Sequence, residues 1–261
     1  MRALFTAATG MDAQQHRIDA VANNLANVNT TGFKRSRADF RDLFYDTLQA
    51  PGAASASGET LPSGIQIGHG VKLASMSHIY TQGERTSTGR TLDMAIDGDG
   101  FFQVQRPGGE TVYTRDGAFQ LDQGGTLVNS QGFALIPLIQ VPPEAVQITI
   151  LPDGTVTALT SDAVEPTNLG QIELARFVNP AGLRTLGNNL LAPTEASGVA
   201  ETGPADDAGF GAISQSFLES SNVNVAQELV EMILAQRAFE VNSRVIQAGD
   251  EMLQTAAALQ R

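Results

Sequence analysis

Apolar residues recur every seven positions at both ends of this chain, while the middle alternates in short runs between glycine-rich turns. Near the C-terminus the series is Val225, Met232, Phe239, Ile246 and Leu253, flanked by Val245, Met252 and Leu259. Near the N-terminus it is Leu4, Met11, Ile18 and Leu25, joined by Val21 and Val28. Seven-residue apolar spacing is the sequence form of a coiled-coil seam. It predicts one helix from about residue 3 to 26 or 27 and another from about 222 to 259, and makes the two series the candidate subunit interface. The second helix would be roughly 57 Å long at 1.5 Å per residue. Burying its five main seam residues is worth about 8–15 kcal/mol, whereas ordering each residue costs on the order of 1 kcal/mol or more. One seam against one short helix is therefore marginal, and the remaining neighbours are expected from other copies. The termini are accordingly expected to be mobile in a monomer and to order on assembly.

Strand-and-turn grammar fills residues 92–193. Asp97-Gly98-Asp99-Gly100, Asp116-Gly117, Gly124-Gly125 and Asp153-Gly154 each precede a short alternating or β-branched run. Asp-Gly between such runs is a strong hairpin signal, and about ten strands in an antiparallel domain are expected. Residues from Ala50 to Gly70 are rich in Gly, Ala, Ser and Pro and read as an extended segment without a core of its own. From Gly64 the pattern alternates, opening a strand that runs toward Tyr80. Residues 195–209 return to Gly, Ala, Pro and Asp and read as a second linker. Asn224, with Gln227 three residues on, is the expected cap of the last helix. The fold class is thus α+β: N- and C-terminal helices form a coiled-coil-like assembly domain around a central antiparallel β-rich domain. The segments are 1–45 (N-terminal helix), 46–91 (extended linker and β segment), 92–210 (β-rich domain) and 211–261 (C-terminal helix).

The 261 residues can hold one good core plus extensions. No apolar run approaches the 18 residues of a membrane span, and the opening residues lack the basic and apolar regions of a signal peptide. With no cysteine, disulfides, thiolate metal sites and a cysteine nucleophile are excluded. The net charge is −12, and residues 97–210 hold four basic and fourteen acidic side chains, a net of −10. An acidic middle argues against nucleic acid and anionic membranes as partners. Lys34, Arg35, Arg37 and Arg41 form the one basic concentration and are expected on a solvated or inter-subunit face. Asp97-Gly-Asp99-Gly lacks a calcium loop's acid at position twelve, which is Gly108, and Gly68-x-Gly70 lacks the third glycine of a dinucleotide fingerprint. The three histidines, His16, His69 and His78, lie too far apart for a helical metal motif. No catalytic residue, cofactor site or metal site is predicted.

Asn23 and Asn24 sit inside the last turns of the first helix, where asparagine is a poor helix former. They open the motif Asn23-Asn24-Leu25-Ala26-Asn27-Val28-Asn29-Thr30-Thr31-Gly32-Phe33-Lys34-Arg35. With Ile96–Val104, Tyr113–Phe119, Glu219–Leu229 and Gln236–Asn242, this motif resembles, in order and nearly end to end, the flagellar axial proteins, the family of rod and hook subunits. Leu61–Val71 resembles the segment typical of the distal rod subunit. The resemblance makes Asn23, Asn24, Leu25, Asn27, Gly32 and Phe33 family-motif residues. It implies a non-enzymatic structural subunit, exported through the flagellar type III apparatus without a cleaved signal peptide. Such a subunit polymerises helically through its terminal helices into a rigid hollow shaft that carries torque from motor to hook. The implied partners are further copies of itself, proximal rod proteins, the hook protein and the surrounding bushing rings, with no nucleic acid and no membrane insertion. A sibling rod or hook subunit is one alternative; a secreted oligomeric binding module is the other.

Overall fold

The computed structural model describes residues 2–50, 64–161 and 165–259, so most of the glycine- and alanine-rich stretch that begins at Ala50 lies outside the described residues. The chain divides into two compact units interleaved in sequence. A helical unit takes Met1–Ala26, Ser36–His78 and Asn224–Arg261, and a β-unit takes Asn27–Arg35 and Ile79–Val223.

In the helical unit, α1 (Arg2–Ala26) packs on a ribbon of β1 (Ser36–Asp42) and β4 (Val71–His78), paired antiparallel from Ser36–His78 to Asp42–Val71. Between them β2 (Tyr45–Gln49) pairs with β3 (Ile65–Gly68). The segment expected to be a plain helical end up to residue 45 thus turns into strands after Ala26. The single strand expected from Gly64 to Tyr80 is two, broken at His69-Gly70. Gly70 has φ +110°, and a Cβ there would lie 2.1 Å from Thr9 Oγ1, so only glycine lets the ribbon cross α1 so closely. The long helix α2 (Val225–Leu259) begins where the Asn224 side chain accepts hydrogen bonds from the amides of Ala226 and Gln227, at 3.0 and 3.3 Å.

The β-unit is antiparallel throughout its paired strands, and its largest sheet runs through Phe101–Gln105 and Thr111–Thr114. Phe101 and Phe102 point to opposite faces, as the period of a strand requires. Phe102 joins a core with Met94, Ile96, Phe119, Leu135 and Leu174. Phe101 joins a smaller cluster with Tyr113, Phe177 and Leu191. Two readings of the sequence are corrected. The expected linker at 195–209 is ordered structure, with Glu201–Pro204 pairing with Glu173–Arg176 and Ser197 and Ala205 buried. Past residue 210 the chain is strand before it is helix: Ala212–Gln215 pairs with Met94–Asp97, and Phe217–Glu219 with Arg85–Ser87. Ser197 and Ala205 are buried, so the small residues of 195–209 read as flexible only when burial is ignored.

The β-unit also draws three separated motifs to one buried polar junction. Glu219, 1% exposed, accepts from Lys34 Nζ at 2.5 Å and from the Gly83 amide at 2.8 Å on Oε1, and from Arg115 Nη1 at 3.2 Å on Oε2. Lys34 also donates to the Thr81 carbonyl at 2.8 Å, and Arg115 Nη2 to the Gly98 carbonyl at 2.8 Å. The Arg115 guanidinium lies 5.4 Å from the Phe101 ring centre. Gly32, φ +67°, donates its amide to the Glu219 carbonyl at 2.8 Å, and a Cβ there would lie 2.7 Å from the Arg115 carbonyl carbon. The Thr31 hydroxyl reaches Asp116 at 2.9 Å, and Asn27 accepts from Thr30 at 3.2 Å, closing the turn before the half-buried Phe33. Lys34 is therefore not on the solvated or inter-subunit face expected of the basic cluster; its partner lies 185 positions away. Burial pushes both the Lys34 ammonium and the Arg115 guanidinium below their ordinary values, and Glu219 pulls both back up.

One carboxylate therefore pairs with two buried cations, and removing its charge takes that partner from both. Breaking a buried pair from one side costs about 3–5 kcal/mol, and in a unit of this size each kcal/mol moves the midpoint by about 2–4 °C. Glu219→Gln is expected to lower the calorimetric unfolding midpoint of the β-unit by on the order of 10 °C. An unchanged midpoint would show that the carboxylate's charge is not needed there.

Candidate assembly interface

Within the helical unit α1 and α2 lie antiparallel, in a register fixed by four contacts. A Cβ on Gly249 would lie 2.5 Å from Leu4 Cδ2, and one on Gly10 2.8 Å from Asn242 Nδ2. Arg17 Nη2 reaches Glu231 at 3.3 Å, and Asn24 Nδ2 reaches Glu228 at 3.1 Å. The line of α2 turned to α1 is built on small residues, Ala235 (0% exposed) and Gly249, while α1 buries Ala7, Ala13, Ala20 and Val21. Small side chains let the two backbones come close.

Asn24 explains why asparagine stands inside the last helical turn. It is 2% exposed, and its Oδ1 accepts from the Ser36 amide at 2.8 Å and the Ser36 hydroxyl at 3.2 Å. Its Nδ2 donates to the Ser36 carbonyl at 2.9 Å as well as to Glu228. One side chain thereby joins the end of α1, the start of β1 and the first turn of α2. The signal in the sequence was a poor helix former repeated where nothing local needs it. The adjacent Asn23 is exposed and Leu25 half-buried.

The candidate interface residues fall into two groups. Leu4, Met11, Ile18 and Leu25 on α1, and Met232, Phe239 and Ile246 on α2, are half-buried within the chain. Val225 and Leu253, at the two ends of the α2 series, are 41% and 42% exposed. The structure adds a stripe that the seven-residue reading caught only at Val245 and Met252. Val230, Leu234, Val241, Val245 and Met252 stand 43–68% exposed, spaced alternately four and seven apart. At 100° per residue they lie about a quarter of a turn round α2 from the line that faces α1. Leu229 and Ile233, 43% and 56% exposed, lie on the side of α2 turned away from α1. Apolar side chains grouped in this way on a helix make this face of α2 the candidate contact surface. Among the described residues no group of His, Asp and Glu could hold a metal ion, and no helix is long and apolar enough to cross a membrane.

Three family models match the chain in order. Residues 4–34 match the flagella basal body rod protein model, 95–158 the flagellar hook protein FlgE/F/G D1 domain, and 214–259 the flagellar basal body rod FlgEFG protein C-terminal region. The flagellar basal-body rod protein FlgG of Borreliella burgdorferi is 48% identical, over 100% of this chain and 99% of its own length. FlgG of Bacillus subtilis is 40% identical over 100% of both chains. The flagellar hook-basal body complex protein FlhP of the same organism is 30% identical over 97% of both. The outer two models cover α1 with the Asn23–Lys34 motif and α2 with the strand leading into it, and the central one covers the strands Phe101–Gln105 and Thr111–Thr114 and Arg115 after them. With full-length relatives on every side of these elements, the chain belongs to the flagellar basal-body rod protein family and is a structural subunit of the distal rod.

Proposed function

We propose that copies of this chain join through α1 and α2 into a helical, hollow and rigid shaft, and that the subunit acts by assembly alone, without catalysis. The observation that carries this reading is the apolar stripe Val230, Leu234, Val241, Val245 and Met252, exposed along the flank of a helix whose neighbouring face is occupied by α1. Covering a Leu or Val completely is worth about 1.5–3 kcal/mol relative to leaving it in water. Several such side chains on every subunit, repeated along a polymer, outweigh the ordering of a few more residues. The half-buried series Leu4, Met11, Ile18 and Leu25 with Met232, Phe239 and Ile246 supports the same wall from between the helices. At the ends of the shaft the partners are proximal rod proteins and the hook protein. The acidic β-unit faces the surrounding rings, and the chain reaches its place through the flagellar export apparatus with its N-terminus uncleaved.

Leu234 is 57% exposed, so an aspartate there is tolerated by the monomer and opposed only where a neighbour covers it. Leu234→Asp is expected to abolish polymers, scored by electron microscopy of concentrated protein, while the circular dichroism of the monomer stays unchanged. Polymers in normal yield would remove the stripe from the interface, and closed oligomers of fixed size from the unmodified protein would favour the binding-module reading instead. The closeness of the helix pair is tested separately by Gly10→Leu. The substitution gains about 1 kcal/mol of helix propensity but overpacks the crossing at Asn242, at about 1–3 kcal/mol. It is expected to lower helical content in the monomer and polymer yield together, and a gain in helicity would show that the crossing has slack.

A further inference from the structure

We infer that the β-unit carries a docking site for residues 27–35 of the chain, and that this segment is a separable latch held by polar contacts and not a part of the β-unit's core. Polar contacts run along it from Thr31 to Arg35. Thr31 Oγ1 donates to Asp116 at 2.9 Å, and the Thr31 carbonyl accepts from Asn189 Nδ2 at 2.9 Å. The Gly32 amide donates to the Glu219 carbonyl, and the Arg35 amide to Asn222 Oδ1 at 2.8 Å. Lys34 Nζ enters the pocket of Glu219 and the Thr81 carbonyl. Among the described residues neither apolar cluster of the β-unit includes a side chain from this segment, and its two large apolar residues, Val28 and Phe33, stay half-buried.

What remains when the segment leaves is also complete. Glu219 keeps Arg115 and the Gly83 amide, so a neutral pair stays behind in place of a cluster with two cations and one anion. Both apolar clusters keep all their members. Docking is read by shape as well as charge. Gly32 needs its left-handed φ of +67°, with no space for a Cβ against the Arg115–Asp116 backbone, and the ammonium must reach a carboxylate and a carbonyl at once. Once docked, Thr31–Arg35 and Glu219–Asn222 lie side by side on the β-unit. Its two chain exits, at Asn27 and Val223, are then held at a set separation. The inference rests on contacts within the β-unit alone, and its test uses the monomer, so its failure and a failure of the polymer reading are distinguishable.

The test is residue-resolved hydrogen exchange on the full-length monomer carrying Lys34→Met, which keeps the length of the side chain and removes its charge and donors. The amides of Gly32, Phe33 and Arg35 are expected to exchange at least tenfold faster, while those of Phe102, Val104 and Leu174 in the sheet stay within about twofold. A capped peptide with the sequence of residues 27–35, added at millimolar concentration, is expected to bind the Lys34→Met protein, and the same peptide with methionine in place of lysine is not. Equal acceleration in segment and sheet would make the segment part of the core. No acceleration, or no difference between the two peptides, would mean that Lys34 does not hold it. Each of these results overturns the proposal.

Discussion

A single carboxylate, Glu219, stands where the chain's distant parts are tied together. It receives Lys34 from the segment that follows α1, Arg115 from the middle of the β-unit and the Gly83 amide, and its own backbone carbonyl receives Gly32. A buried ion cluster is not in itself a source of stability, because desolvation offsets most of the attraction. Its effect is on specificity. Two buried cations tolerate only an arrangement that brings the carboxylate to both, and this fixes which turn of the chain meets which. The apolar core of the β-unit makes that rule affordable, and the rule in turn sets where the chain enters and leaves the unit.

The helical unit follows a different logic. Its two helices meet through alanine and glycine, with Asn24 and Glu228 as a buried polar clamp at their shared end. A small-residue crossing gives close packing but little apolar area, so larger side chains are left on the flanks of α2. In an isolated globular protein such a surface would be a liability. On the proposed assembly it is the part of the core that neighbouring copies supply.

Much of this was legible in the sequence. Helix α2 runs from Val225 to Leu259, against an expected span of about 222–259, because seven-residue periodicity and an asparagine cap are local signals. Gly124-Gly125 and Asp153-Gly154 do sit in hairpins, between Phe119–Leu121 and Leu127–Asn129 and between Ala145–Ile150 and Thr155–Thr160. Asp97-Gly98-Asp99-Gly100 does not: the strand before it pairs with Ala212–Gln215 and the strand after it with Thr111–Thr114. Turn chemistry shows where strands end, not whom they pair with. The same limit explains Lys34, whose basic neighbours in sequence suggest a solvated face while its surroundings in space come from residues 81 and 219. It also explains the exposed stripe on α2. Once the small residues claim the contact with α1, the apolar residues that remain no longer follow the seven-residue line.

The chain contains no cysteine, so a single introduced thiol reports one position without background. The most direct measurement is the rate of maleimide labelling of Leu234→Cys in monomers and in assembled rods, with Val178→Cys, 84% exposed on the β-unit, labelled alongside. Assembly through α2 predicts that the thiol at 234 reacts freely in the monomer and at least tenfold more slowly in the rod, while its rate relative to 178 is restored when rods are dissociated. Equal labelling of Leu234→Cys in rods and monomers would contradict the account, because the apolar face would then still be in contact with water after assembly.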